Sequence, residues 1–140
     1  MATIIRPELS KQSAFYISRH RYYELRHFCQ QYPEWRERLQ DLDGFLAKKQ
    51  RAGHIPSPGD PTAMAAEQRL FYIGKMEKVE NAARRVCPTL ESFHWLLDGV
   101  TNGCTYEILQ ARAGVPSFSR DAYYRLYRMF FWQLDKLRDS

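Results

Sequence analysis

The punctuation of the last third of this chain restricts its fold more than any other feature. In TLESFHWLLDGVTNGCTYEILQARAGVPSFSRDAYYRLYRMFFWQLDKLRDS, two turns separate three stretches of helical periodicity. Asn102-Gly103 closes the first stretch, because glycine takes the left-handed conformation that ends a helix at little steric cost. Thr105 is placed to cap a short helix from Tyr106 to Ala113, and Gly114 supplies its C-terminal stop. Val115-Pro116-Ser117-Phe118 then bridges to Ser119, an N-cap for a long final helix over about 119–138. A short helix, a turn that opens with glycine and a second helix make the arrangement that lays one helix in the major groove of DNA. Small helical proteins that never touch DNA use the same punctuation, so the pattern predicts the fold more firmly than the function.

The rest of the chain reads as helical too, and the fold class expected is all-α. Ser18 can cap a helix to about Tyr32, with Tyr22, Leu25, Phe28 and Cys29 on one face at three- and four-residue spacing. Pro33 suits the first turn of a second helix, whose apolar stripe is Trp35, Leu39, Leu42 and Leu46. These two predict an N-terminal helical hairpin over 1–47, with weak order over residues 1–15. KKQRAGHIPSPGD, residues 48–60, is rich in proline and glycine and almost free of apolar side chains, so it reads as a linker. Asp60 then caps a long central helix that begins at Pro61 and continues to about Val86, with Met64, Leu70, Ile73, Met76 and Val79 as its apolar positions. Residues 61–140 therefore hold the long helix and the three-helix C-terminal region.

Composition narrows the function classes. No apolar run approaches the roughly 18 residues of a membrane helix, and MATIIRPELSKQ lacks the apolar stretch of a signal peptide. The expectation is a soluble, cytoplasmic protein with no membrane partner. Cys29, Cys87 and Cys104 are odd in number, far apart and without a zinc spacing, which suits reduced thiols and no metal. His20, His27, His54 and His94 stand in separate contexts, and no glycine-rich phosphate loop or GxSxG elbow is present. The reading is a non-enzyme with no cofactor. The net charge is +5, and residues 119–140 carry five basic against three acidic side chains while residues 88–118 carry one against three. The basic excess on the final helix is where phosphate neutralisation would be needed.

Two faces of that helix can be separated. Tyr123, Tyr127, Phe130, Phe131, Leu134 and Leu137 recur at helical spacing and are expected to pack on Phe93, Leu96, Leu97 and Ile108. The other face presents Arg120, Tyr124, Arg125 and Arg128, and arginine donating twice to guanine is the commonest specific base contact. The helix 105–113 would cross the backbone, with amides near Thr105 and Tyr106 meeting a phosphate. The DNA-binding set read from the sequence is thus Thr105, Tyr106, Ser117, Ser119, Arg120, Tyr124, Arg125 and Arg128.

Three segments in order, YYELRHFCQQYPEW, DPTAMAAEQRLFYIGKMEKVENAARR and LLDGVTNGCTYEILQARAGVPSFSRDAYYRLYRMFFWQLDKLR, carry a resemblance that covers the chain from about Tyr16 onward. Together the chain resembles phage transcriptional regulators of the RinA and ArpU type. The resemblance implies a phage or prophage regulator of late operons, with a C-terminal domain similar to region 4 of sigma factors. The matching positions are Gly99-Val100-Thr101, Thr105-Tyr106, Pro116, Arg120-Asp121, Tyr123-Tyr124, Arg128 and Phe130-Phe131-Trp132. One departure matters: the family carries a denser Arg/Lys run in the middle of the last helix, where this chain has Leu126, Tyr127 and Met129. Fewer cations imply weaker DNA binding with a flatter salt dependence.

Two functions from different classes remain. The first is a sequence-specific, double-stranded DNA-binding transcriptional regulator, with host RNA polymerase and a second copy of the chain as candidate partners. In a homodimer two recognition helices would lie about one duplex turn apart. The second is a phage-encoded protein-binding module that inhibits or redirects a host complex, either polymerase or a defence system. It would use the aromatic and arginine-rich N-terminal half, where Tyr22, Tyr23, Arg26 and Trp35 cluster, since such residues are enriched at interfaces.

Overall fold

Local capping decides where most of the helices start. In the computed structural model, which describes residues 14–55 and 57–139, six helices follow one another with no strand among the described residues. They are α1 (Arg19–Gln30), α2 (Tyr32–Arg51), α3 (Pro61–Val86), α4 (Leu90–Asn102), α5 (Tyr106–Ala113) and α6 (Arg120–Asp139). Ser18 caps α1 by accepting from the Arg21 amide at 3.2 Å, and Asp60 caps α3 by accepting from the Thr62 amide at 2.7 Å. At α4, Thr89 and Ser92 form a reciprocal capping box, which satisfies two otherwise orphaned amides. Gly103 ends α4 at φ 66° and Gly114 ends α5 at φ 85°, values that favour glycine over any residue with a Cβ. The all-α expectation therefore holds. The weak order expected over residues 1–15 falls mostly on residues 1–13, which lie outside the described residues, as does Pro56 in the linker.

One boundary and one face differ from the sequence reading. The second helix runs on to Arg51, so residues 48–51 are helical rather than linker. Lys48, Lys49 and Arg51 stand in its last turn, where cations complement the helix dipole. On α3, Met64 and Leu70 are exposed, while Ala65, Val79, Ala82, Ala83 and Val86 are buried. Alanine contributes little apolar weight to a periodicity, so a face made of small residues does not announce itself.

The chain divides into two units. One takes the chain through Gln31 and again from Lys78 onward; the other is Tyr32–Glu77. The helices read as one N-terminal hairpin, α1 and α2, thus belong to different units, and the Pro/Gly segment lies inside the second.

In the first unit, α1 packs on α4 and α6, and α4 also packs on α5 and α6. Its core is aromatic. Tyr22, Leu25 and Cys29 from α1 meet Leu96 from α4 and Phe130, Phe131 and Leu134 from α6, all with 0–1 % exposure. Each fully buried phenylalanine stabilises the fold by about 2 kcal/mol before entropic costs. Tyr22 and Phe131 meet edge to face with centroids 5.1 Å apart, and the Tyr22 and Tyr127 hydroxyls share a hydrogen bond of 2.7 Å. At the rim, the Arg21 guanidinium joins Asp135 at 2.6 Å, Asp139 at 2.6 Å and Glu24 at 3.0 Å. The hydrogen bond that Arg21 donates to Asp135 is the main reason that the Arg21 pKa is raised. In the second unit, Tyr32 and Trp35 are buried, Arg69 pairs with Asp43 at 2.6 Å, and the Lys75 ammonium sits 4.4 Å from the Phe71 ring centre.

Candidate nucleic-acid interface

The short helix α5 and the start of α6 are tied by three contacts. The Tyr106 amide donates to the Tyr124 hydroxyl at 3.2 Å, and the Tyr106 hydroxyl donates to the Phe118 carbonyl at 3.3 Å. The Arg120 guanidinium donates through Nε to Glu107 Oε1 at 2.7 Å. The turn between the helices is anchored separately, by Ser117, whose hydroxyl and amide both donate to Glu91 Oε1 on α4. Ser119 accepts from the Ala122 amide at 3.1 Å and so caps α6, while Thr105 accepts from the Ile108 amide and caps α5.

These contacts revise three of the residues read as DNA-binding. Tyr124 is 2 % exposed and faces the interior, not the outward arginine face. Its aromatic body packs edge-on against Tyr123, and its hydroxyl caps a buried amide. That amide is the one expected to meet phosphate at Tyr106, so it is already occupied, and Tyr106 itself is buried. Arg120 is engaged by Glu107 and by the Tyr124 ring, whose centre lies 4.9 Å from its guanidinium carbon. The pairing raises the Arg120 pKa and lowers that of Glu107, the mutual hydrogen bond being the first cause in both. Ile108, expected in the core, is 46 % exposed, and α5 buries Tyr106 and Leu109 instead.

Two of the expected arginines are differently placed. Arg125 is exposed on α6 and Arg128 half-buried, and neither has a hydrogen bond or ion pair among the described residues. Arg112, exposed at the last turn of α5, shares that property and was not singled out by the sequence pattern.

The sequence also gave no sign of an open cleft of about 780 Å³ beside Arg125. The end of α3, residues 87–89 and the first half of α6 surround it, with Val86, Pro88, Phe118, Leu126 and Met129 as its apolar lining. Arg85, next to Arg84 in sequence, also lines it. Arg84 is spent on Glu80, Asn81 and the Phe93 ring, whereas Arg85 has no hydrogen bond or ion pair among the described residues. Burial pushes the Cys87 thiol in the cleft wall up to about 11. Among the described residues, no group of three or more His, Cys, Asp or Glu side chains is placed to hold a metal, and no helix is long and apolar enough to cross a membrane. No protein-family model, curated protein or solved structure matches the chain.

Proposed function

We propose that this chain binds double-stranded DNA through α5 and α6, with the first half of α6 in the major groove, as a transcriptional regulator of phage or prophage origin. The observation that carries the reading is the pair Arg125 and Arg128, two guanidiniums on the first half of α6 without an ion-pair partner among the described residues. They stand on a short helix, a turn anchored by Ser117 and a long helix, the frame that presents one helix to a groove. The regulatory role and phage origin rest on the resemblance of the three segments to RinA- and ArpU-type regulators.

Selection of bound duplexes from a random-sequence library, followed by salt titration on the enriched site, tests this. The expected result is one enriched motif, whose half-site spacing reports whether a second copy takes part. Arg125→Ala and Arg128→Ala should each cost about 1–3 kcal/mol where the side chain reads a base, or lower the salt slope by about one where it meets a phosphate. No enrichment, or wild-type binding by both variants, overturns the proposal.

One observation favours the protein-binding alternative. Arg120 is neutralised by Glu107, and the apolar side chains of Ile108 on α5 and Val115 in the turn after it are 46 % and 81 % exposed. Under that reading both arginine variants are silent in DNA binding, and substitutions of Val115 or Ile108 weaken capture of a host protein; Trp35, expected at such an interface, is buried at 3 % exposure and is not available to a partner.

A further inference from the structure

We propose that the cleft lined by Arg85, Arg125, Leu126 and Met129 is a binding site for a small amphipathic carboxylate, a free acid with an aromatic or short aliphatic body. The site shares Arg125 with the proposed DNA-binding face, but it rests on the cleft's own lining and its test uses no DNA. Its volume of about 780 Å³ lies within the roughly 300–1,000 Å³ of small-molecule sites. Such sites pair a mostly apolar lining with a few polar groups that fix orientation. Here Val86, Pro88, Phe118, Leu126 and Met129 provide the apolar lining, in which Arg85 and Arg125 outnumber the one carboxylate, Asp121.

The sign of the charge selects the ligand. Arg85 and Arg125 have no ion pair among the described residues, so each retains a donor fork that matches a carboxylate in two parallel hydrogen bonds. A neutral apolar ligand would leave both forks unused, and a cation would meet like charge. The walls are also fixed before any ligand arrives. The capping box of Thr89 and Ser92 sets one side, and the bonds from Ser117 to Glu91 hold another. The backbone ordering cost is then met before binding, which leaves that of the two arginine side chains.

The test is a titration of the full chain with 4-phenylbutyrate and with octanoate, each against its matched alcohol, followed through the methionine methyl resonances. The expected result is a saturable shift of the Met129 methyl with Met64 and Met76 unmoved. Each acid should bind at least about tenfold more tightly than its alcohol, and Arg85→Gln should remove most of that preference, as expected for loss of a charge-assisted hydrogen bond. Arg85 is exposed, so the variant is expected to fold, and its unshifted melting temperature verifies this. Absence of a saturable Met129 shift with both acids, equal affinity for acid and alcohol, or an acid preference untouched in both Arg85→Gln and Arg125→Gln overturns the proposal.

Discussion

Gly99 and Tyr123 occupy one space between them. A Cβ added at Gly99 would overlap the Tyr123 hydroxyl oxygen and stand 3.2 Å from Leu109 Cδ1. That hydroxyl is buried with no hydrogen-bond partner among the described residues, and burial raises its pKa above the usual tyrosine value. Both facts have one origin: the phenol tip is pressed against the helix backbone where a side chain is missing. Gly99→Ala should therefore destabilise by about 1–3 kcal/mol through overpacking, despite the better helix propensity of alanine. Tyr123→Phe should be neutral or stabilising, because it deletes an orphaned polar group rather than a hydrogen bond. The two changes should not add. With the hydroxyl gone, the nearest ring atom of residue 123 lies 3.4 Å from the new Cβ, and only Leu109 must give way by a few tenths of an ångström. Urea unfolding of the four proteins measures the coupling, expected at about 1 kcal/mol or more. Strict additivity would mean that Gly99 is required for some other reason.

Helix ends were legible because capping is local chemistry. Ser18, Asp60, Thr105, Ser119, Gly103 and Gly114 act within four residues of themselves, and each stands where its type predicts. Packing choices that depend on a distant helix were not legible. Tyr124 suits an outward face or an inward one, and the decision is made by the Tyr106 amide eighteen positions earlier. Arg120 reads as a free cation until α5 brings Glu107 against it, and the cleft assembles from two separated stretches, 85–92 and 117–129. The α5–α6 pairing makes its own prediction. If α6 meets DNA, Glu107→Gln releases Arg120 toward phosphate and removes a repelling carboxylate. The affinity for duplex should then rise and the salt slope steepen by about one. Adding Arg120→Ala to that variant should restore the parental slope. A slope unaffected by Glu107→Gln, with the melting temperature confirming that the helices remain packed, would place Arg120 away from the DNA.

Across the molecule, the groups buried in their neutral form share one sign. Cys29, Cys87, Tyr123 and Tyr127 all have raised pKa values, with burial as the first cause in each. All four lie in the unit built from α1, the end of α3 and α4 through α6. An acid whose folded pKa exceeds its unfolded value keeps its proton in the native state while the unfolded chain gives it up. Its stabilising contribution is complete below the unfolded pKa and lost as the pH rises toward the folded one. The loss should therefore begin near pH 9, where unfolded cysteines ionise, and steepen above about pH 10, where unfolded tyrosines follow. Each fully buried group adds a slope of up to about 1.4 kcal/mol per pH unit, and the half-exposed Cys87, at about 11, adds less. Urea unfolding midpoints between pH 8 and 10.5 measure the decline. Cys29→Ala should lower the stability at pH 8 by leaving a small cavity, yet flatten the fall between pH 9 and 10, because one of the linked protons is gone. A wild-type curve that stays level to pH 10.5 would mean that these groups ionise in the folded state as readily as in the unfolded chain. The tyrosine and thiol core described above would then have to be more open to water than its packing implies.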